Sequence, residues 1–497
     1  MSKRIRAVAG SALAVAIAAA SISQANASAY TAKYITSITY QNVGIGTAAI
    51  TLNFYSQESG TPIVKTLQAL NANAGTSINI GSIDDTSIST GFKGAAVMSS
   101  DQPIVATMVQ YSGNDATVRN RALSNGFGAD GGSSSFLIAT VLKATFGSTT
   151  QFSIQNVDSV GNDLTVKFIN ADPAAGAIGA TTATAIVTNL PANSVKYYDA
   201  GIVAGLPATF NGSVQITAVR NGTTTPGKVV ATALELNTDG VGVSAFEGVA
   251  GGSPTVYMPS ALCNVFGGQS SAYAVQNTNA PGGAAANVTL TYSVRPAGST
   301  GAFTTYTETA SIAAGAKYSF RGCGTGAAGT GFPANNSGSA KITATGGNIV
   351  AVAKVFGAGL STATPGVSVG SPKLALPYVR YSESKFDSGV RQRTFLAIQN
   401  VGTTDLAAGA VTVKYLDRSG NVVGTPHVLG AMPVNSKLNS NPRNSGAGTE
   451  EFGYYEAPTP GFGGSAIIEG PAGSQLVAVA RVTSAGVGED YNGIPIN

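Results

Sequence analysis

The chain has 497 residues, of which 63 are glycine and only 10% carry a charge. Ordinary globular proteins are charged at about 25% of positions, so Thr, Ser, Asn and Gly must cover most of this surface. The formal net charge of +4 excludes the strongly basic field with which proteins hold nucleic acid or anionic membranes. One histidine and two cysteines are too few for a zinc site of the usual kind.

The first 27 residues predict a cleaved export signal. Lys3, Arg4 and Arg6 form a positive start. An alanine-rich apolar segment follows at 7–22, and Ala25-Asn26-Ala27 is a small-x-small cleavage site. The alternative is a membrane anchor, but the segment is shorter than the about 20 apolar residues that a membrane helix needs. We therefore expect a secreted, extracellular or cell-surface protein without a transmembrane segment. Cleavage would leave 25 basic and 24 acidic residues.

One pattern recurs four times after the signal. Each copy has an apolar stretch that ends in Gln-Asn, and later a glycine and a Val-Ala pair follow in the same order. The Gln-Asn pairs lie at Gln41-Asn42, Gln155-Asn156, Gln276-Asn277 and Gln399-Asn400. The glycines are Gly94, Gly212, Gly338 and Gly464, and the Val-Ala pairs begin at Val105, Val230, Val350 and Val477. Four landmarks in one order predict four tandem structural repeats.

The residues between these landmarks predict β-strands. In the fourth copy Val411, Val413 and Tyr415 alternate with Thr412 and Lys414, which is the period of a half-buried strand. No stretch after residue 27 shows a sustained helical period. Seven or eight short strands in 100 to 125 residues are typical of an immunoglobulin-like antiparallel sandwich. We predict an all-β chain with a signal peptide at 1–27 and sandwich repeats at 28–128, 129–250, 251–370 and 371–497.

Short connectors rich in Gly and Ser separate the predicted repeats, and prolines lie in or beside the last two. Such linkers limit bending, so the sequence predicts a rod. The only cysteines, Cys263 and Cys323, both fall in the third repeat. In an oxidising compartment this pair favours a disulfide, and two buried free thiols are the alternative.

The first copy starts late. Copies two to four open with an additional strand-like stretch, at Phe136–Ile138, Val256–Pro259 and Leu374–Pro377. After cleavage only about 13 residues precede Gln41, so the first repeat should lack its first strand. A sheet that lacks an edge strand leaves backbone groups unpaired, and a strand from another chain would pair with them.

This hypothesis points to the two ends of the mature chain as the assembly site. We expect subunits to join head to tail, with one chain's terminal segment completing its neighbour's fold. The candidate contact residues are Tyr30, Tyr34, Ile35, Tyr491, Ile494 and Ile496. A contact of this heterologous kind produces an open filament instead of a closed ring.

The full order of landmarks resembles the immunoglobulin-like repeats of bacterial surface-layer, sheath and extracellular filament proteins. It runs from a leading strand through the Gln-Asn strand and a Val-Thr-Val-x-Tyr type strand to Gly-Ser-Ala and Val-Ala-x-Ala. The resemblance covers the whole chain after residue 27. It implies a structural role outside the cell, with copies of the same chain as the partner. It brings no catalytic residues, and we expect no enzyme activity.

Three other patterns favour alternatives. Gly366–Gly370 matches a nucleophile elbow around Ser368, with His427 further on, but it lies in a connector without the helix that this motif needs. We expect no cofactor; calcium is the alternative, at the acid pairs that begin at Asp84, Glu450 and Glu489, although none has a calcium-loop spacing. Tyr454 and Tyr455 could contact a cell-surface glycan, which would make the protein an adhesin or glycan-binding stalk.

Overall fold

The fold is known from a computed structural model. The structure describes residues 34–83, 87–88, 91–112, 121–237, 242–357, 359–382, 392–446, 461–484 and 487–496. Within these ranges almost all regular structure is antiparallel β-sheet, so the predicted all-β class is confirmed. Three single-turn 3₁₀ helices are also present, at Ile80–Ser82, Pro173–Ala175 and Pro442–Ser445.

The strands fall into four groups, which we call repeats 1 to 4. Repeat 1 contains β1 (Tyr34–Asn42), β2 (Ile50–Ser56), β3 (Pro62–Thr66), β4 (Gly75–Asn79), β5 (Gly94–Ser100), β6 (Ile104–Ser112) and β7 (Ala122–Asn125). Repeat 2 contains β8 (Ser135–Lys143), β9 (Ser148–Asn156), β10 (Asn162–Asn170), β11 (Thr181–Leu190), β12 (Val195–Asp199), β13 (Phe210–Arg220), β14 (Val229–Asn237), β15 (Val243–Glu247) and β16 (Val249–Ala250).

The other two groups follow the same plan. Repeat 3 contains β17 (Thr255–Cys263), β18 (Ser270–Asn277), β19 (Ala286–Pro296), β20 (Thr304–Ile312), β21 (Lys317–Phe320), β22 (Asn336–Thr345), β23 (Ile349–Gly357) and β24 (Leu360–Pro365). Repeat 4 contains β25 (Lys373–Ser382), β26 (Gln392–Asn400), β27 (Thr412–Leu416), β28 (His427–Val428), β29 (Lys437–Ser440), β30 (Gly461–Glu469), β31 (Leu476–Ser484), β32 (Val487–Asn492) and β33 (Ile494–Pro495).

Repeats 2, 3 and 4 each contain two layers of strands, and the strand order is the same in all three. In repeat 2, sheet I has the order β11-β10-β13-β8 and sheet II the order β12-β9-β14-β15. Repeat 3 has β20-β19-β22-β17 and β21-β18-β23-β24, and repeat 4 has the same order with its two sheets joined through β25 and β26. The core lies between the sheets. An aromatic ring occupies the same place in every core, at Phe54, Phe168, Tyr292 and Tyr415.

The repeated asparagine closes the loop after the second strand of each repeat. In repeat 4 the Asn400 side-chain nitrogen donates to the carbonyls of Thr404 and Met432, each at 2.9 Å, and its oxygen accepts the Gly402 N–H at 3.0 Å. Asn42, Asn156 and Asn277 make the same three kinds of bond. One buried amide therefore joins sheet II to two segments of irregular backbone, whose polar groups would otherwise lack partners.

The repeated glutamine holds a second loop, the one before the fifth strand of the sandwich. Its side-chain nitrogen donates to the carbonyl of a residue with positive φ: Gln41 to Asn73, Gln155 to Asn193, Gln276 to Gly315 and Gln399 to Asn435. Only Gly, and to a lesser degree Asn, adopts such a φ without strain. The Gln-Asn mark is thus a structural requirement of the fold.

The predicted disulfide is present. Cys263 and Cys323 are joined across 60 residues of sequence, and Cys263 is part of the core of repeat 3. The bond ties the end of β17 to the loop after β21.

The four repeats close into a ring, so the expected rod is wrong. The last strands of sheet II, β7, β15, β24 and β32, contact one another in cyclic order, and β7 of repeat 1 meets β32 of repeat 4. At the centre Asn125 donates its side-chain N–H to the carbonyl of Asn492 at 2.8 Å, and Asn492 donates to that of Pro365 at 2.8 Å. The Asn125 backbone N–H donates to Glu247. These four residues occupy the same position in their repeats.

Three junctions of the ring are built alike. The first strand of one repeat packs across sheet II of the next: β8 contacts β18 and β23, β17 contacts β26 and β31, and β25 contacts β1 and β6. The short linkers do not produce a rod because the outer faces of sheet II can be buried against the first strand of the preceding repeat. Val350 and Val352 of repeat 3 join the core cluster of repeat 2, and Val109 and Leu123 of repeat 1 join that of repeat 4.

A buried lysine lies at the junction of repeats 2 and 3. Lys317 is 6% exposed and donates to the Thr140 hydroxyl at 2.7 Å. Burial, with a contribution from the neighbouring Lys354 ammonium, lowers the pKa of Lys317 to about 7, and Glu235 opposes this shift. An unfolded lysine has a pKa near 10.4, so folding favours the neutral amine.

We predict that Asn400→Ala lowers the free energy of unfolding by about 3 kcal/mol, since it leaves two buried carbonyls and one N–H unpaired. Urea unfolding followed by tyrosine fluorescence measures the change. Asn287→Ala, at an exposed position of β19, is the matched control and should cost less than about 0.5 kcal/mol. Equal losses in the two variants would contradict this role for Asn400.

We also predict that Lys317→Met stabilises the chain near pH 6.5, because the wild type must bury a charge there. This advantage should shrink towards pH 9.5, because a group whose folded pKa is lowered adds stability as the pH rises from the folded to the unfolded value. The free energies of unfolding of Lys317→Met and of the wild type, at pH 6.5 and at pH 9.5, measure this difference in stability. Lys167→Met, at an exposed position of β10, should show no such trend. A difference that does not vary with pH would refute the argument.

Candidate assembly site at the edge of repeat 1

The fourth junction of the ring, between repeats 1 and 2, differs from the other three. Sheet I of repeat 1 has the order β3-β2-β5. In repeats 2, 3 and 4 the strands that correspond to β5 pair with β8, β17 and β25. Among the residues that the structure describes, no strand pairs with that edge of β5. A row of backbone donors and acceptors therefore lies along Gly94–Ser100 without a ladder partner.

The inner face of β5 is less covered than the corresponding faces of the other repeats. Ala96 lies opposite Phe54, and Met98 opposite Leu52. Ala96 is exposed and Met98 half-buried. The corresponding residues in the other repeats are at most 1% exposed: Val214, Ile216, Ala340, Ile342, Ala466 and Ile468. β5 is thus less covered than its counterparts, although Leu52 and Phe54 stay buried in a cluster with Ile88, against which Phe92 and Met98 pack.

The outer face of sheet II in repeat 2 is also less covered than its counterparts, although Val195 and Val230 on this face are buried. Ser153, Gln155 and Thr232 are half-buried. At the other three junctions the residues in these positions are buried: Thr39, Gln41 and Thr107 in repeat 1, Ala274, Gln276 and Val352 in repeat 3, and Ala397, Gln399 and Val479 in repeat 4. A strand paired with β5 would cover both places. We call the space bounded by β5 and by Ser153, Gln155 and Thr232 the strand slot.

Tyr197 borders one end of the strand slot. It lies beside Ser153 on the outer face of sheet II, and its hydroxyl donates to the Gly94 carbonyl at 2.6 Å. Burial raises the pKa of Tyr197 to about 12, so the hydroxyl keeps its proton. Repeats 1, 3 and 4 carry the small polar residues Ser77, Ser319 and Asn439 at this position. The Tyr197 side chain therefore reaches from sheet II of repeat 2 to β5 of repeat 1, where a strand lies at the other junctions.

Further contacts hold repeats 1 and 2 together beside the slot. The Glu58 N–H donates to the Val195 carbonyl at 3.0 Å, and the Glu58 carboxylate pairs with Lys196. The hydrogen bond from Lys196 lowers the pKa of the Glu58 carboxyl group. This ion pair is too exposed to add much stability. On the ring side, Ala122 packs with Val243 and Ala245. The slot therefore lies between two fixed contacts.

The residues predicted for assembly lie elsewhere. Tyr30 falls outside the described residues, and Tyr34 and Ile35 are half-buried in β1. Tyr491 is 1% exposed in the core of repeat 4, where its hydroxyl donates to the Tyr378 carbonyl at 2.6 Å. Ile494 and Ile496 pack half-buried against a cluster that contains Val105 of repeat 1 and Ala375 of repeat 4. Within one chain, the end segment thus folds onto its own ring.

The alternative motifs lie at these places. Residues 366–370 lead from β24 into β25, and Val367 pairs with Tyr257. A ring nitrogen of His427 lies 2.8 Å from the Ser440 hydroxyl. Tyr454, Tyr455 and the acid pairs at 84–85 and 450–451 fall outside the described ranges. In the third acid pair, Asp490 binds Arg481 and the Thr362 hydroxyl.

The described part of the chain contains no group of three or more His, Cys, Asp or Glu side chains arranged to hold a metal ion. It also contains no helix long and apolar enough to cross a membrane.

The sequence did not predict the surface of the strand slot, and the lack of a first strand in repeat 1 stays a prediction. That surface combines β5 with residues of repeat 2 that are about 55 to 140 positions away in the chain. Tyr197 shares its place in the sheet with Ser77, Ser319 and Asn439. The four lie at different distances from their Gln-Asn marks, so spacing in the sequence could not show this equivalence. No family model and no curated protein matches the chain.

Proposed function

We propose that this chain is an exported structural protein that assembles with copies of itself into an extracellular filament, sheath or surface layer. The observation that carries the proposal is the open edge of β5. In repeats 2 to 4 the first strand of each repeat pairs with the same edge. Strands of this chain therefore have sequences that can pair with such an edge.

Cleavage after Ala27 would remove the segment of this chain that could fill the edge. β9 begins 13 residues after β8 begins. Counted back from β1 in the same way, the counterparts of Phe136 to Ile138 are residues 22–24, which precede the predicted cleavage after Ala27. Export and cleavage would thus produce a subunit with one unfilled edge.

An acceptor edge in repeat 1 and a donor strand elsewhere on a second copy make a heterologous contact. Such contacts extend without limit unless their rotation closes a ring. Main-chain pairing would give affinity, and alternate side chains would give selectivity. The near-balance of 25 basic and 24 acidic residues after cleavage adds little repulsion between copies.

We predict that mature protein, residues 28–497, forms polymers visible by electron microscopy and that Ala96→Arg abolishes them. The arginine would project from the inner face of β5, where an incoming apolar strand would have to bury its charge. Val64→Arg is the matched control, because Val64 is 56% exposed on β3, at the opposite edge of the same sheet. Its polymers should equal those of the wild type.

Circular dichroism and thermal unfolding must first show that both variants fold. Polymers of Ala96→Arg equal to those of the wild type would rule out strand addition at β5. A wild-type protein that stays monomeric and binds a polysaccharide, with binding lost in Tyr454→Ala or Tyr455→Ala, would instead support the adhesin hypothesis.

A further inference from the structure

The strand slot has two walls, and only one of them is the edge of β5. The second wall is the outer face of sheet II in repeat 2, with Ser153, Gln155 and Thr232 half-buried. Simple addition of a strand to a sheet edge would leave this second wall uncovered. At the three complete junctions, the first strand of one repeat fills both places at once.

We propose that a strand from a second copy of this chain is clasped in the slot between repeats 1 and 2, paired with β5 and packed on Ser153, Gln155 and Thr232. This inference rests on the proposed self-assembly and specifies how the partner strand is recognised. The bound strand would complete the fourth junction of the ring, so that joining two copies would also fix repeat 1 against repeat 2.

The complete junctions define the side chains that such a strand must carry. In repeat 2, Phe136 and Ile138 lie opposite Ile216 and Val214 and so face the core. Leu137 lies between them on the other face and is 3% exposed. In repeat 4 the residue in the place of Leu137 is Ala375, which packs in one cluster with Val105 of repeat 1.

The slot therefore requires three consecutive apolar residues. By correspondence with β8, two of them would face Met98 and Ala96, and the middle one would face repeat 2. The middle residue would approach Val230, which occupies in repeat 2 the place of Val105. A shift by one residue would exchange the two faces. The middle residue distinguishes a clasped strand from a strand held only at its edge.

The test uses a fluorescent peptide with the sequence Ser135–Lys143 and full mature protein diluted until light scattering shows monomers. Anisotropy should show saturable binding. A peptide with Phe136→Lys and Ile138→Lys should bind at least tenfold more weakly, because lysines would then face the core. A peptide with Leu137→Lys should lose at least as much affinity, because its lysine would lie against repeat 2.

Matched protein variants test the second wall directly. Ser153→Arg should weaken binding of the unmodified peptide at least tenfold. Ile186→Arg, at a 65% exposed position on β11 in the other sheet of repeat 2, should leave binding unchanged. Peptide variants leave the protein's own fold untouched, so they decide the question even if Ser153→Arg fails to fold.

The outcomes separate this inference from the proposed function. Absence of saturable binding would overturn the clasp, as would binding that tolerates both Leu137→Lys and Ser153→Arg. Polymers that form unchanged in excess peptide would overturn the clasp and leave self-assembly intact. Clasped peptide on a protein that never polymerises would confirm the slot and overturn the assembly function.

Discussion

The buried Gln-Asn pair at the end of the second strand is the interaction on which every repeat depends. Its two side chains hold the loop after that strand and the loop before the fifth, and so fix the ends of sheet II. The two amides of each repeat thus pair backbone groups that would otherwise lack partners.

Three junctions of the ring form because repeats 1, 3 and 4 each offer the outer face of sheet II to the first strand of the preceding repeat. Small or neutral residues such as Thr39, Ala274 and Ala397 occupy this face and are buried. Charges there would need buried partners. The buried Lys317 is an exception on this face, and burial lowers its pKa to about 7.

The sequence specified the repeats well because each rests on local patterns: alternation, turn glycines and the Gln-Asn mark. Counting back from Gln41 also predicts that repeat 1 lacks its first strand, and this stays a prediction. The ring was not predictable in this way. Its contacts join outer faces whose Ser, Thr and Ala residues also suit a solvent-facing surface, and Tyr491 could not be distinguished from a free tail residue because its partner Tyr378 lies 113 residues away.

An open edge inside an otherwise closed ring differs from an edge at the end of a rod. A rod's terminal edge could pair with any strand, which is the usual route to uncontrolled aggregation. Here the edge faces a second wall, and Tyr197 borders one end of the space. A strand must therefore match two surfaces of the same chain and fit a limited length. A single slot per chain would accept a single neighbour, which is the geometry of ordered, one-dimensional growth.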